Sequence, residues 1–123
     1  MTTEAARSRE LEFVPIAKVG DIKHGEGKMV RPAAGRLRGK PLAIFNENDN
    51  FYIMNFVCPH SAGPMSEGTI QDGVVTCPYH AWAYHADTGL PAGTHEHCIS
   101  VYEVKVDGGD ILVGWLKQPP VGD

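Results

Sequence analysis

Four residues in two short motifs carry the most evident chemistry in this chain. Cys58 and His60 form a C-x-H motif, and sixteen residues later Cys77 and His80 form a C-x-x-H motif. Thiolates and imidazoles are soft or borderline ligands. Two loops that each supply one thiolate and one imidazole therefore predict a metal site. A single tetrahedral zinc ion is one candidate. A binuclear iron–sulfur centre, with both thiolates on one iron and both imidazoles on the other, is the second.

A nucleophilic Cys-His site is disfavoured, because no third group that could orient the imidazole stands at a convincing spacing. Three cysteines are an odd number, which argues against a disulfide framework and for a reducing compartment. There is no run of 18 apolar residues and no apolar N-terminal segment, so we expect a cytoplasmic protein without a membrane span. A net charge of -4 and a pI near 5.8 argue against nucleic acid as a partner.

The elements that must position the motifs are short strands joined by tight turns. Residues 47–50 form a turn cluster, and Asp72-Gly73 suits a type I′ hairpin turn. No window shows an amphipathic helix of ten residues. Cys98 shares strand parity with Tyr102 and Val104, which predicts that it points into the core. The predicted strands cover residues 12–16, 41–46, 51–57, 69–71, 74–76, 98–106 and 111–115.

This pattern predicts an all-β fold, an antiparallel β-sandwich or barrel. One long, loop-rich excursion, at about residues 57–93, holds both motifs and forms a small subdomain. Residues 1–10 are polar and predict a flexible tail, and residues 11–117 then form a single domain.

The motifs and their surroundings are similar to those of small Rieske proteins, and the resemblance runs from about residue 13 to residue 113. It rests on five groups of residues. These are C-P-H at 58–60, G-P-M at 63–65, E-G at 67–68, V-V-T-C-P-Y-H at 74–80 and T-G at 88–89.

This resemblance implies one Rieske-type [2Fe-2S] cluster per chain in a loop-rich cluster-binding subdomain. The implied ligands are Cys58, His60, Cys77 and His80. The residues implied to surround them are Pro64, Met65, Trp82 and Tyr84.

The resemblance also predicts a low reduction potential. High-potential members carry a disulfide between the two loops, but the matching positions here are Gly63 and Tyr79. Those members also have a serine that donates to a bridging sulfide, where this chain has Trp82. Fewer donors to sulfur stabilise the reduced state less, although Tyr84 stands where the family's sulfur-bonding tyrosine does.

The implied function is that of an electron-transfer protein, a carrier component and not an enzyme by itself. It would pass single electrons from a flavin reductase to a terminal oxygenase of the ring-hydroxylating type. Two alternatives stay open: the small Rieske subunit of an assimilatory nitrite reductase, bound to the large subunit, and a zinc-stapled interaction domain. Because no Lys or Arg lies between Lys40 and Lys105, we expect partners with basic docking faces.

Overall fold

The computed structural model describes residues 13–35, 37–57, 64–78, 83–92 and 98–117. In these ranges the chain forms nine strands, all paired antiparallel, and two short 3-10 helices, Val19–Asp21 and Met65–Glu67. No helix in this part of the chain is long and apolar enough to cross a membrane. The strands are β1 (Val14–Lys18), β2 (Gly27–Val30), β3 (Leu42–Glu47), β4 (Asn50–Asn55), β5 (Thr69–Gln71), β6 (Val74–Thr76), β7 (Ala83–His85), β8 (Val101–Asp107) and β9 (Asp110–Leu116).

The strands form two sheets. The large sheet has the order β1-β9-β8-β4-β3-β2, and the small sheet has the order β5-β6-β7. The large sheet is curled, so that β1 approaches the connection that follows β2: a Cβ atom at Gly35 would lie 3.1 Å from Cγ2 of Val14. The fold is therefore an antiparallel half-barrel with a small sheet beside it, which confirms the predicted all-β class.

Turn chemistry sets two of the hairpins. Asn48 and Asp49, between β3 and β4, have φ values of 54° and 67°. Asp72 and Gly73, between β5 and β6, have φ values of 52° and 76°. A type I′ turn needs positive φ at both central residues, and Asn, Asp and Gly reach it at the least cost. These two hairpins and the third, between β8 and β9, are confirmed.

Strand β3, which lies between β4 and β2 in the large sheet, is buried on both faces. Side chains alternate along a strand, yet all residues from Leu42 to Asn46 are buried. Ala43 and Phe45 face the small sheet, while Leu42 and Ile44 face the inside of the half-barrel. The core between the two sheets contains, besides Ala43 and Phe45, the buried residues Met54, Met65, Ile70, Val75, Cys77, Tyr84, Ala86, Ile99 and Val101.

Three features differ from the sequence-based expectation. β2, which begins at Gly27, and β7, which begins at Ala83, are not among the predicted strands. Cys98 was expected to point into the core from a strand, which is wrong: β8 begins only at Val101, and Cys98 precedes it and is only partly buried. The predicted tail at residues 1–10 lies outside the described residues.

Candidate metal centre

The described residues that flank the first motif in sequence are joined to each other. Val57 and Pro64 form an isolated antiparallel bridge, and the backbone N–H of Met65 donates to the carbonyl of Phe56 at 2.7 Å. The described chain on the two sides of the first motif, up to Val57 and from Pro64 onward, is therefore held together. A ligand loop closed at its base loses less conformational entropy on binding a metal than an open segment does.

The second motif begins where β6 ends. β6 is the middle strand of the small sheet, and its last residue, Thr76, pairs with Thr69 on one side and Ala83 on the other. Cys77 follows directly and is 2% exposed, in the core between the two sheets. A strand held on both sides fixes the backbone position of this thiol.

The two loops meet at their bases through a close backbone contact. A Cβ atom at Gly68 would lie 2.1 Å from the carbonyl oxygen of Thr76, so the chain leaving the first loop touches the strand that leads into the second. Met65, near the end of the first loop, is fully buried in the same core as Cys77. The fold thus brings the two loop bases together, as a binding site shared by both motifs requires.

Four of the eight predicted site residues lie within the described chain. Cys77, Met65 and Tyr84 share one buried core, and Pro64 closes the first loop. Tyr84 is 0% exposed and lies in β7 opposite Val75 of β6. The other four, Cys58, His60, His80 and Trp82, lie outside the described residues. Among the described side chains, no group of three His, Cys, Asp or Glu residues could hold a metal ion.

The donor set and the burial fit an iron–sulfur cluster. A buried thiol beside apolar side chains offers a thiolate ligand shielded from water, and thiolates select zinc, copper(I) or iron–sulfur clusters. Cys77 stands in such surroundings, with Met65 and Tyr84 in the same core.

Two features near the site were not singled out in the sequence. Tyr102 donates from its hydroxyl to Oδ1 of Asn55 at 2.7 Å, which ties β8 to the last residue of β4 shortly before the first motif. Burial raises the pKa of the Tyr102 phenol. Glu47, at the end of β3, binds the turn of the β5–β6 hairpin through its carboxylate. Both contacts join residues at least 25 positions apart, so local sequence patterns carry no signal for them.

The surface of the small sheet and its connections carries acidic charge. Glu67, Asp72 and Asp87 are exposed, and the sequence places no Lys or Arg between Lys40 and Lys105. Lys117 approaches this surface from the end of the described chain, and its Nζ donates to the carbonyl of Asp87 at 3.2 Å.

Comparison with known proteins agrees with this arrangement. The Rieske [2Fe-2S] domain profile matches residues 12–103. Ferredoxin CarAc of Metapseudomonas resinovorans is 35% identical over 86% of this chain and 96% of its own length. The 3-phenylpropionate/cinnamic acid dioxygenase ferredoxin subunit of Shigella flexneri serotype 5b is 38% identical over 83% of this chain and 92% of its own.

Solved structures show the same fold. A structure of reduced oxygenase with oxidized ferredoxin in carbazole 1,9a-dioxygenase matches with a TM-score of 0.73 and 28% identity, covering 87% of this chain and 97% of that one. A protein from Mycobacterium tuberculosis described as an NADH-dependent nitrite reductase small subunit also matches, with a TM-score of 0.73, 22% identity and coverage of 86% and 96%. The profile match spans most of the chain and both motifs, and the chain belongs to the Rieske [2Fe-2S] domain family.

Proposed function

We propose that this chain is a Rieske-type ferredoxin that carries single electrons to a terminal oxygenase of the ring-hydroxylating type and receives them from a flavin reductase. The observation that carries the proposal is the buried Cys77 at the junction of two closed loops, in a chain that resembles ferredoxin components over nearly their full length. The curated relatives named as ferredoxins are matched over 96% and 92% of their own length, so we propose a carrier and not a catalyst.

We assign the cluster ligands to Cys58, His60, Cys77 and His80. The spacing of the motifs and the contact between the loop bases support this assignment. The bound [2Fe-2S] cluster supplies a site that gains and loses one electron. Two neutral imidazoles make the ligand set less negative than four thiolates, which raises the potential relative to an all-cysteine cluster.

The chain's own residues set the surroundings of the cluster. Met65 and Tyr84 are fully buried and exclude water from the Cys77 side. Trp82, in place of the serine of high-potential relatives, offers no hydroxyl to a sulfide, so we propose a potential at the low end of the family. Pro64 keeps the first loop closed through its bridge to Val57.

We place the whole function in one domain, residues 11–117, with residues 57–93 as the cluster-binding subdomain. The small sheet and its three strands lie within that range. We also propose a cytoplasmic location, because an odd number of cysteines and a low-potential cluster suit a reducing compartment.

The acidic charge on the small sheet supports association with basic partner surfaces. Salt screens such charges, so electron transfer to an oxygenase should slow as ionic strength rises through the physiological range. A rate that stays constant with ionic strength would exclude charge as the basis of docking.

A nitrite reductase small subunit is the second candidate, supported by a fold match as close as that of the oxygenase ferredoxin. Sequence favours the first candidate: curated relatives named as ferredoxins reach 35% and 38% identity, and among solved structures the match from carbazole 1,9a-dioxygenase reaches 28% against 20% and 22% for the nitrite reductase small subunits.

The deciding experiment loads the purified chain with iron and sulfide and records its visible and electron paramagnetic resonance spectra during a redox titration. A Rieske signal with two iron and two sulfide per chain is the expected result. The reduced protein is then mixed with a terminal oxygenase and with a sirohaem nitrite reductase, and transfer to the oxygenase supports the proposal. A colourless chain that holds one zinc ion would overturn it.

A further inference from the structure

Glu47 joins the large sheet to the hairpin that carries the second ligand loop. Its Oε1 accepts the backbone N–H of Gly73 at 2.7 Å, and its Oε2 accepts the backbone N–H of Asp72. We infer that Glu47 is a positioning residue for the cluster, because it holds the β5–β6 hairpin and thereby the backbone of Cys77. This inference rests on the proposed ligand role of Cys77.

The turn offers Glu47 two donors that the hairpin leaves unused. In a two-residue hairpin turn the ladder ends at the flanking pair, here Gln71 with Val74. The N–H groups of Asp72 and Gly73 point away from that ladder, and one carboxylate accepts both. Hydrogen bonds to an ionised acceptor are about twice as strong as neutral ones, and two parallel bonds also fix orientation.

The same turn is held from its other side. The carbonyl of Gly73 accepts the backbone N–H of Ala86 at 2.8 Å, just after β7. Gly73 thus connects the end of β3 with the chain that follows the small sheet. The tip of the hairpin is fixed to two elements, and only Glu47 reaches it from the large sheet by a side-chain hydrogen bond among the described residues.

The position of the hairpin tip at Gly73 affects the position of Cys77, because β6 connects the two. The chain from Gly73 to Cys77 passes through β6 and spans about 13 Å at 3.3 Å per residue. Its other end is held by the backbone contact between Gly68 and Thr76. With Glu47 removed, the tip keeps only its bond from Ala86 among the described residues, and the hairpin can rotate about the contact between Gly68 and Thr76. Because Cys77 follows Thr76 directly, such a rotation changes the orientation of its backbone and thiol.

The alternative is that Glu47 only accepts the N–H groups of the Asp72-Gly73 turn and does not position Cys77. Its side chain is partly buried, and among the described residues no Lys or Arg pairs with it, since the ion pair found there joins Lys18 and Asp110. The N–H groups of the turn are thus the partners that the structure gives this charge.

The test compares Glu47→Gln and Glu47→Ala with the wild-type holoprotein. Amide hydrogen exchange at Asp72 and Gly73 measures whether their N–H groups are hydrogen-bonded. The rate of iron release to a chelator measures how firmly the chain retains the cluster. Loss of both bonds to a charged acceptor should speed iron release by about tenfold in the Ala variant. The Gln variant keeps one acceptor oxygen, so it should protect one of the two amides from exchange. Its rate of iron release should lie between those of the wild type and the Ala variant.

Two controls separate positioning from general stability. Asp87→Asn removes an equal charge from an exposed position beside the small sheet and should leave both measurements unchanged. Ile111→Val weakens the other core and should lower the unfolding midpoint without exposing the Gly73 amide. The visible circular dichroism of the cluster should change in Glu47→Ala and not in Ile111→Val.

Equal iron release from Glu47→Ala and wild type would overturn the inference, and so would equal acceleration in Ile111→Val. If the wild-type chain takes up no cluster, the proposed function fails first and this inference with it. If the wild type loads and only the Glu47 result is negative, the positioning role alone is wrong.

Discussion

Replacing Gly68 by alanine should displace the strand that leads into Cys77. The backbone dihedrals at Gly68, φ −78° and ψ −169°, suit any residue, so the conformation itself carries no penalty. The obstacle is steric, because the new Cβ would lie 2.1 Å from the carbonyl oxygen of Thr76 and 3.2 Å from that of Met65. Ordinary contacts begin near 3.4 Å, so the two backbones must separate by about 1.3 Å.

Backbone cannot move aside as a flexible side chain can. Thr76 is paired with Thr69 and Ala83, so a shift at this point strains both ladders of the small sheet. Overpacking of this kind destabilises proteins by about 1–3 kcal/mol. The same displacement moves the neighbouring thiol of Cys77, so the cluster content should fall together with stability.

Two measurements check this prediction: the free energy of unfolding in urea, and the iron and acid-labile sulfide per chain. Gly20→Ala is the matched control, because a Cβ at Gly20 meets nothing within 4 Å, and it should stay within about 0.5 kcal/mol of wild type. If Gly68→Ala is as stable as the control and loads a full cluster, the two loop bases do not meet as described.

Three further predictions concern other parts of the chain. Gly89→Ala combines a φ of +78° with a Cβ only 1.9 Å from the carbonyl oxygen of Ile99, so urea unfolding should show a loss of more than about 2 kcal/mol; a smaller loss would mean that the loop relaxes freely. Burial raises the pKa of Tyr102 above 10.0, so the unfolded chain ionises first and stability should fall as the pH rises above 10. Tyr102→Phe should flatten that alkaline fall, and an unchanged slope would assign it to another group. His80→Cys adds a negative charge to the ligand set, so a redox titration should show a lower reduction potential, closer to the value of about −400 mV for all-cysteine clusters. An unchanged potential would contradict the argument that neutral imidazole ligands raise the potential.

The parts of the fold that local chemistry controls were predictable from the sequence. Both type I′ turns, at Asn48-Asp49 and Asp72-Gly73, have the residue types that tolerate positive φ, and both hairpins formed where expected. The ligand types of the two motifs indicated a metal site but left a zinc ion and an iron–sulfur centre open, and the resemblance to Rieske proteins, which the profile match confirms, implied the cluster.

The parts of the fold that depend on partners distant in sequence were not predictable from it. β7 is three residues long and is a strand because β6 lies on one side and the bridge from Tyr84 to Pro91 on the other. The parity rule failed for Cys98, because a rule about alternation holds only inside a strand and β8 begins three residues later. A pattern can predict the face of a residue only after the bounds of the strand are known.

The sequence indicates only one half of the contact that Glu47 makes, namely the turn that receives it. Glu47 lies in a stretch of the chain with no Lys or Arg from residue 41 to residue 104. A partly buried carboxylate in such a stretch has few cations within reach, so backbone N–H groups become its natural partners, and N–H groups without ladder partners are found at hairpin turns and helix ends. The Asp72-Gly73 turn, which the residue types predict, is such a place. Residue types therefore predict the tight turn and its free N–H groups, but they do not distinguish Glu47 from other acidic residues of this stretch, such as Asp49 and Glu67. Which carboxylate reaches Gly73 depends on the path of the backbone, as does the close approach of Gly68 to Thr76.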